Sequence, residues 1–180
     1  MWKTVSSKEV FKHPRITIIE DEVILPNGKH THYIKFESGQ DAVTVIAKNV
    51  QGKVCISKEY SYPPNAELYQ FPGGGVESGE TPEVAAQREL MEEVGFKAGR
   101  LLFLGKYLTN NRRSNQYMHV FAATNLVEET LPGDIEEDIV NEWVTPSELE
   151  EKITQGTIFN VHMLAAWLLY RTQGQVENYA

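Results

Sequence analysis

Two runs rich in β-branched and aromatic residues, Arg15 to Leu25 and Lys29 to Glu37, open the hydrophobic pattern, with Pro26-Asn27-Gly28 between them. Asn-Gly between such runs is the strongest short hairpin signal. The pattern predicts an N-terminal β-hairpin extension over residues 1–40, ending at Glu37-Ser38-Gly39-Gln40. Residues 41–180 then form the main domain. Asp41–Lys48 and Lys53–Tyr60 predict a second strand pair around Val50-Gln51-Gly52. Its first member, Ala42-Val43-Thr44-Val45-Ile46-Ala47, is apolar almost throughout, as a strand buried on both faces would be. Glu67–Phe71 is a short strand leading into Pro72-Gly73-Gly74-Gly75, and Leu101–Thr109, Tyr117–Ala123 and Val140–Val144 are further strands. Polar loops are expected at 110–115 and 128–138.

Thr81-Pro82 opens a helix, with Thr81 as N-cap and Pro82 at the first helical position, and Gly95 closes it as a left-handed cap. Ala86, Leu90 and Val94 form its sheet-facing stripe. Thr145-Pro146 starts a second helix that stops near Gly156. A third runs from about Ile158 to Arg171, with Val161, Leu164, Trp167 and Leu168 read as core. His162, a lone helical histidine, is left out of the site. Strands mixed with a few helices predict an α/β sandwich.

The first helix carries Glu89, Glu92 and Glu93, within about 100° of one another on one face. Like charges so placed cost a few tenths of a kcal/mol even when exposed. A solvated acidic face is the plain reading of such a run. A divalent-cation site is the sharper one, since Mg²⁺ takes carboxylate oxygen and would relieve the repulsion. Three consecutive glycines just upstream let the backbone approach a ligand closely.

Composition narrows the choice. The 180 residues, 41% of them hydrophobic, suit one domain with a small appendage. A net charge of −8 argues against nucleic acid as the main partner and fits an anionic substrate held through metal. The one cysteine, Cys55, lies in an apolar run; it excludes an intrachain disulfide and points to a reducing, cytoplasmic setting. The N-terminus has no apolar signal core, and the longest apolar run, Met163–Tyr170, is far short of a membrane span.

Spacing decides for the metal. Gly74, five residues, Glu80, seven residues, then Arg88-Glu89-Leu90-Met91-Glu92-Glu93-Val94-Gly95-Phe96 resembles the Nudix box with every signature position filled. Chance fills its seven single-residue positions on the order of once in 10⁹ start sites. The resemblance implies an α/β/α sandwich in which a mixed sheet lies between helices. With a β-hairpin before the box, the chain looks like the ADP-ribose and nucleoside-diphosphate-sugar pyrophosphatase branch. That branch implies a homodimer through the N-terminal piece, and hydrolysis of a pyrophosphate to a nucleoside monophosphate and a sugar phosphate. It implies Mg²⁺ or Mn²⁺ at Glu89, Glu93, Glu92 and the Gly73 carbonyl, with Arg88 organising the carboxylates. Glu80, Gly95 and Phe96 look structural. The water-activating glutamate of the branch falls at Glu137, with Glu136 next and Glu92 as the fallback. Arg112 and Arg113 are candidates for phosphate or sugar, and Trp2 for stacking on the base. Ser61, Gln70 and Asn110-Asn111-Arg112 depart from the branch's usual arginine, glutamate and Pro-Gly, which leaves the nucleoside and the sugar open. The alternatives are a Nudix hydrolase of nucleoside triphosphates or dinucleoside polyphosphates, and a non-catalytic nucleotide-sugar-binding module.

Overall fold

A computed structural model describes residues 1–14, 16–37, 39–133 and 138–173. The chain divides into two compact units: Met1–Asp41 with Leu108–Tyr117, and Ala42–Tyr107 with the chain from Met118 onward.

The first unit is a three-stranded antiparallel sheet, β1 (Lys3–His13), β2 (Ile16–Ile24) and β3 (His30–Glu37), in the order β1-β2-β3. The hairpin expected from Asn27-Gly28 is β2–β3, with Gly28 at φ +80°. Strand β1 was not legible. It is exposed along its whole length, and two register shifts, at Thr4/Ser6 and Glu9/Phe11, break its period. Asp21 is buried on this sheet. It accepts from Lys35 Nζ (2.6 Å) and Ser7 Oγ (2.6 Å). The Lys35 bond, then the Ser7 bond, hold its carboxyl below the ordinary range despite burial. The loop Asn110–Asn115 belongs here: Phe36 N–H donates to the Arg113 carbonyl (2.6 Å), and Arg113 Nη1 donates to the Ile34 carbonyl (3.0 Å).

The second unit holds β4 (Ala42–Ala47), β5 (Val54–Ser61), β6 (Ala66–Gln70), β7 (Phe96–Leu108), β8 (Tyr117–Glu128) and β9 (Val140–Val144), with helices α1 (Pro82–Glu89), α2 (Pro146–Thr154) and α3 (Val161–Gln173). The strands form two sheets, β4-β8-β7 and β6-β5-β9. β4 and β5 are not the hairpin the sequence predicts. The turn forms, with Asn49 N–H bonded to the Lys53 carbonyl (3.0 Å), but the strands part after one bridge, Lys48–Val54. β4 runs parallel to β8, while β5 pairs antiparallel with β6 and β9. A strand apolar on both faces gains most from covered positions on both sides, and a partner far along the chain supplies one.

Alternating residues feed two cores, and this makes the sandwich. Val43, Val45, Ala47, Cys55, Phe121 and Ala123 pack with Ala85, Ala86 and Leu90 of the α1 segment. Ile46, Val54, Ile56, Val120 and Ala122 pack with Leu149 of α2 and Met163, Ala166 and Trp167 of α3. The face of α3 therefore differs from the expected one. Trp167 is core, but Val161, Leu164 and Leu168 are exposed. α3 is apolar nearly all round, so periodicity alone did not choose its buried side. Among the described residues, no helix is long and apolar enough to cross a membrane.

Candidate active site

The glycine loop is strapped to β4, along the edge that β8 leaves open. Val45 N–H donates to the Pro72 carbonyl (2.8 Å) and Val43 N–H to the Gly74 carbonyl (2.9 Å). At Gly73, φ is +152°, and a Cβ would sit 2.2 Å from the Val43 carbonyl oxygen. At Gly74 a Cβ would meet Glu89 Oε1 at 2.5 Å. At Gly73 the obstacle is the backbone of β4, which cannot move aside; at Gly74 it is the Glu89 side chain, which an added Cβ would displace.

Helix α1 comes next. Thr81 accepts at its hydroxyl from Val84 N–H (3.4 Å), and Pro82 occupies the first turn, as read from the sequence. Gln87 clasps the start of β7: its amide donates to the Ala98 carbonyl (2.9 Å) and accepts from Ala98 N–H (3.0 Å). After Glu89 the helix widens into a π-helical turn, Leu90–Val94, closed by Gly95 N–H on the Leu90 carbonyl with Gly95 at φ 78°. Extra-residue turns of this kind collect at functional sites.

Arg88 organises the carboxylates. Its Nε and Nη2 donate to the two oxygens of Glu80 (3.0 and 3.1 Å). Nη1 donates to Glu89 Oε1 (2.8 Å) and Glu92 Oε2 (2.9 Å), and Nη2 to the Gly75 carbonyl (2.9 Å). The Glu80 bond comes first, and the Glu92 and Glu89 partners add to it, in raising the guanidinium well above its usual range. In return Arg88 holds the Glu80 carboxyl below the ordinary one. Glu80 also accepts from Glu77 N–H (3.0 Å) and so closes the turn before α1. Part of the repulsion expected among Glu89, Glu92 and Glu93 is thus relieved by Arg88 itself. Glu93 faces the loop: Gly73 N–H donates to its Oε2 (3.2 Å). We expect Arg88→Leu to leave three partly buried carboxylates short of their counter-charge and to cost about 3 kcal/mol in chemical denaturation. Arg88→Lys should recover little of this, because a point charge cannot reproduce the fork.

Gly73, Arg88, Glu89, Glu92 and Glu93 are therefore brought together. Trp2, Arg112 and Arg113 gather separately, in the first unit, around Tyr33. Trp2 meets the Tyr33 ring edge-on (centroids 5.8 Å apart, 82°), and the Arg113 guanidinium lies 5.6 Å from the centre of that ring. Tyr33 donates its hydroxyl to the Arg112 carbonyl. Trp2, Tyr33 and Arg112 line one cleft. Tyr33 was missed, although Thr31, Tyr33 and Lys35 alternate along β3 and so share a face. Glu136 and Glu137 lie outside the described residues. His162 stays apart from the glutamates, stacked on Tyr107 (5.9 Å).

Among the described residues, no three His, Cys, Asp or Glu side chains are grouped as ready metal ligands. The donor chemistry still fits a hard cation. Glu89 and Glu93 meet a loop whose backbone comes closer than a Cβ allows, Glu92 stands beside Glu89 on Arg88, and oxygen is what Mg²⁺ and Mn²⁺ select. A cation here would share Glu89 and Glu92 with Arg88. Cys55, wholly buried in the core beneath α1, reports the same charge. Burial first, then the Glu93 anion, push its thiol up to about 12. Thiol reagents at pH 8 should leave the native protein unmodified and titrate one cysteine after unfolding.

Residues 39–167 match the NUDIX domain family. The chain belongs to the Nudix hydrolases. Residues 2–33 of this Nudix hydrolase match the nucleoside diphosphate sugar hydrolase N-terminal domain. An ADP-ribose pyrophosphatase of Bacillus subtilis (strain 168) is 32% identical over 124 residues, 69% of this chain and 66% of that protein. A methanol dehydrogenase activator of Bacillus methanolicus is 29% identical over 136 residues, 76% of this chain and 73% of that protein. The crystal structure of an ADP compounds hydrolase matches with a TM-score of 0.90 over 99% of this chain and 97% of that one, at 22% identity, which establishes the fold. As a Nudix hydrolase the protein is a pyrophosphohydrolase of small nucleotide derivatives, a class that works with divalent metal ions.

Proposed function

We propose that this Nudix hydrolase cleaves the pyrophosphate bond of a nucleoside diphosphate linked to a sugar, ADP-ribose or a relative, giving a nucleoside monophosphate and a sugar phosphate. The observation that carries this is the pairing of a filled box, Glu89 and Glu92 gathered by Arg88 and Glu93 bonded to the glycine loop, with an N-terminal match to the sugar-hydrolase extension. The names of the B. subtilis relative and of the ADP compounds hydrolase structure support the substrate class.

Glu89, Glu92, Glu93 and the Gly73 carbonyl would hold Mg²⁺ or Mn²⁺. Bound there, such an ion would supply charge neutralisation on the diphosphate and a more acidic water. The protein's own share is positioning. Arg88 fixes two of the carboxylates, Gly73 N–H fixes the third, and the glycine loop keeps side chains out of the diphosphate's path. Water adds to one phosphorus and the bridging P–O bond breaks. The water's proton goes to a carboxylate, Glu137 in our assignment, with Glu136 next and Glu92 as the fallback. Trp2, with Arg112 and Arg113, would bind the nucleoside and phosphate end. The exposed Val5, Val10 and Phe11 of β1 support a homodimer through the N-terminal piece. A buried, single cysteine fits a reducing, cytoplasmic setting.

The test is a panel of ADP-ribose, GDP-mannose, UDP-glucose, NADH, FAD and a dinucleoside tetraphosphate, with Mg²⁺, and products identified by mass. AMP and ribose phosphate from ADP-ribose, or the matching pair from another diphosphate sugar, is the expected result. Turnover confined to the tetraphosphate, or binding without turnover, would overturn the proposal.

A further inference from the structure

The π-helical turn is held from outside the box. Ending a helix leaves carbonyls without intrahelical donors, and a π turn changes which ones. Here Leu131 N–H takes the Met91 carbonyl (3.2 Å). The Glu93 carbonyl is taken by a side chain, Asn141 Nδ2, at 2.6 Å. Asn141 sits in β9, directly across from Ser57 of β5. Ser57 is wholly buried, and its Oγ donates to Asn141 Oδ1 (2.8 Å). These two bonds fix the amide's orientation by chemistry alone, since a carbonyl accepts only from the NH₂ end. A relay therefore runs from the buried strand β5, through Asn141, to the backbone of the residue whose carboxylate accepts from Gly73 N–H (3.2 Å).

We infer that Asn141 is a positioning residue of the active site, anchoring the Glu93 backbone so that the Glu93 carboxylate meets the glycine loop, and that Ser57 orients it. Nothing in the box motif points to either residue, since both lie outside it in sequence. The inference rests on the reading of Glu93 as a metal ligand. Asn141 itself would touch neither metal nor substrate, and it acts through Glu93.

A double-mutant cycle read by Mn²⁺ binding tests this. Mn²⁺ alone is titrated calorimetrically into wild type, Asn141→Ala, Glu93→Gln and the double variant. Asn141→Ala should weaken Mn²⁺ binding about tenfold, the usual scale for losing a residue that orients a ligand. In the Glu93→Gln background the same change should have no further effect. Ser57→Ala, which leaves the strand ladder and the Glu93 bond in place, should weaken binding in the same direction by about threefold and serves if Asn141→Ala does not fold. If Glu93→Gln weakens Mn²⁺ binding while Asn141→Ala, or failing it Ser57→Ala, binds like wild type, the anchor is wrong and the metal reading stands. An equal loss on both sides of the cycle also overturns the anchor, since it marks a general structural effect. If wild type and Glu93→Gln bind Mn²⁺ equally, the metal reading falls and the anchor with it.

Discussion

Glu93→Gln should lower kcat on the order of 10³-fold while the protein stays folded. The substitution is close to isosteric. The amide oxygen can still accept from Gly73 N–H, and the backbone carbonyl still accepts from Asn141, so stability should change by less than about 1 kcal/mol. What is lost is one negative charge that, in the proposed function, would help hold the metal. An interaction needed mainly in the transition state shows in kcat, with KM moving little. Steady-state release of nucleoside monophosphate at saturating Mg²⁺, with thermal unfolding alongside, measures both. Turnover comparable to wild type would remove Glu93 from the chemistry. Cys55 offers an internal control. The Glu93 charge is only the lesser cause of its raised pKa, so in the variant the thiol should remain unreactive at pH 8.

Gly73→Ala should cost about 4 kcal/mol or more, a large part of the 5–15 kcal/mol typical of a domain. The new Cβ would lie 2.2 Å from the Val43 carbonyl oxygen and 2.8 Å from Thr44 Cα, both backbone atoms of the buried strand β4. Neither can rotate away. Relief means breaking a strap, Val45 N–H to Pro72 or Val43 N–H to Gly74, and adds to the penalty of alanine at φ +152°. The neighbours grade the effect. At Gly74 the clash is with the Glu89 carboxylate, a side chain that can shift, so the fold should survive and turnover should fall. At Gly75 nothing lies within 4 Å of an added Cβ, and alanine should be tolerated. Denaturation midpoints that do not order as 73 below 74 below 75 would refute this account of the loop.

Local chemistry was legible, and long-range choice was not. Thr81-Pro82 and Thr145-Pro146 announced both helix starts because capping is decided within four residues, and Thr145 with Glu148 completes a capping box. The double-sided burial of β4 followed from its apolar run. Its partner did not, because β8 lies some seventy residues on and any apolar strand would satisfy the same rule. The glutamates and Arg88 were found through spacing. The π turn that carries two of them has no local sequence signal, and its anchors come from Leu131 and Asn141. The buried face of α3 was misread because Met163-Leu164-Ala165-Ala166-Trp167-Leu168 offers apolar side chains to every direction, and the neighbours chose Met163, Ala166 and Trp167.

The loop between β7 and β8 clusters with the N-terminal sheet, to which Arg113 and Tyr33 tie it. The extension is thus not a detachable prefix. A chain begun at residue 42 would keep Leu108–Tyr117 but strip away the sheet that gives it hydrogen-bond partners. Gene truncation is therefore a poor route to a minimal catalytic body: the extension and the β7–β8 loop are bonded into one unit and would need to be removed, or exchanged, together.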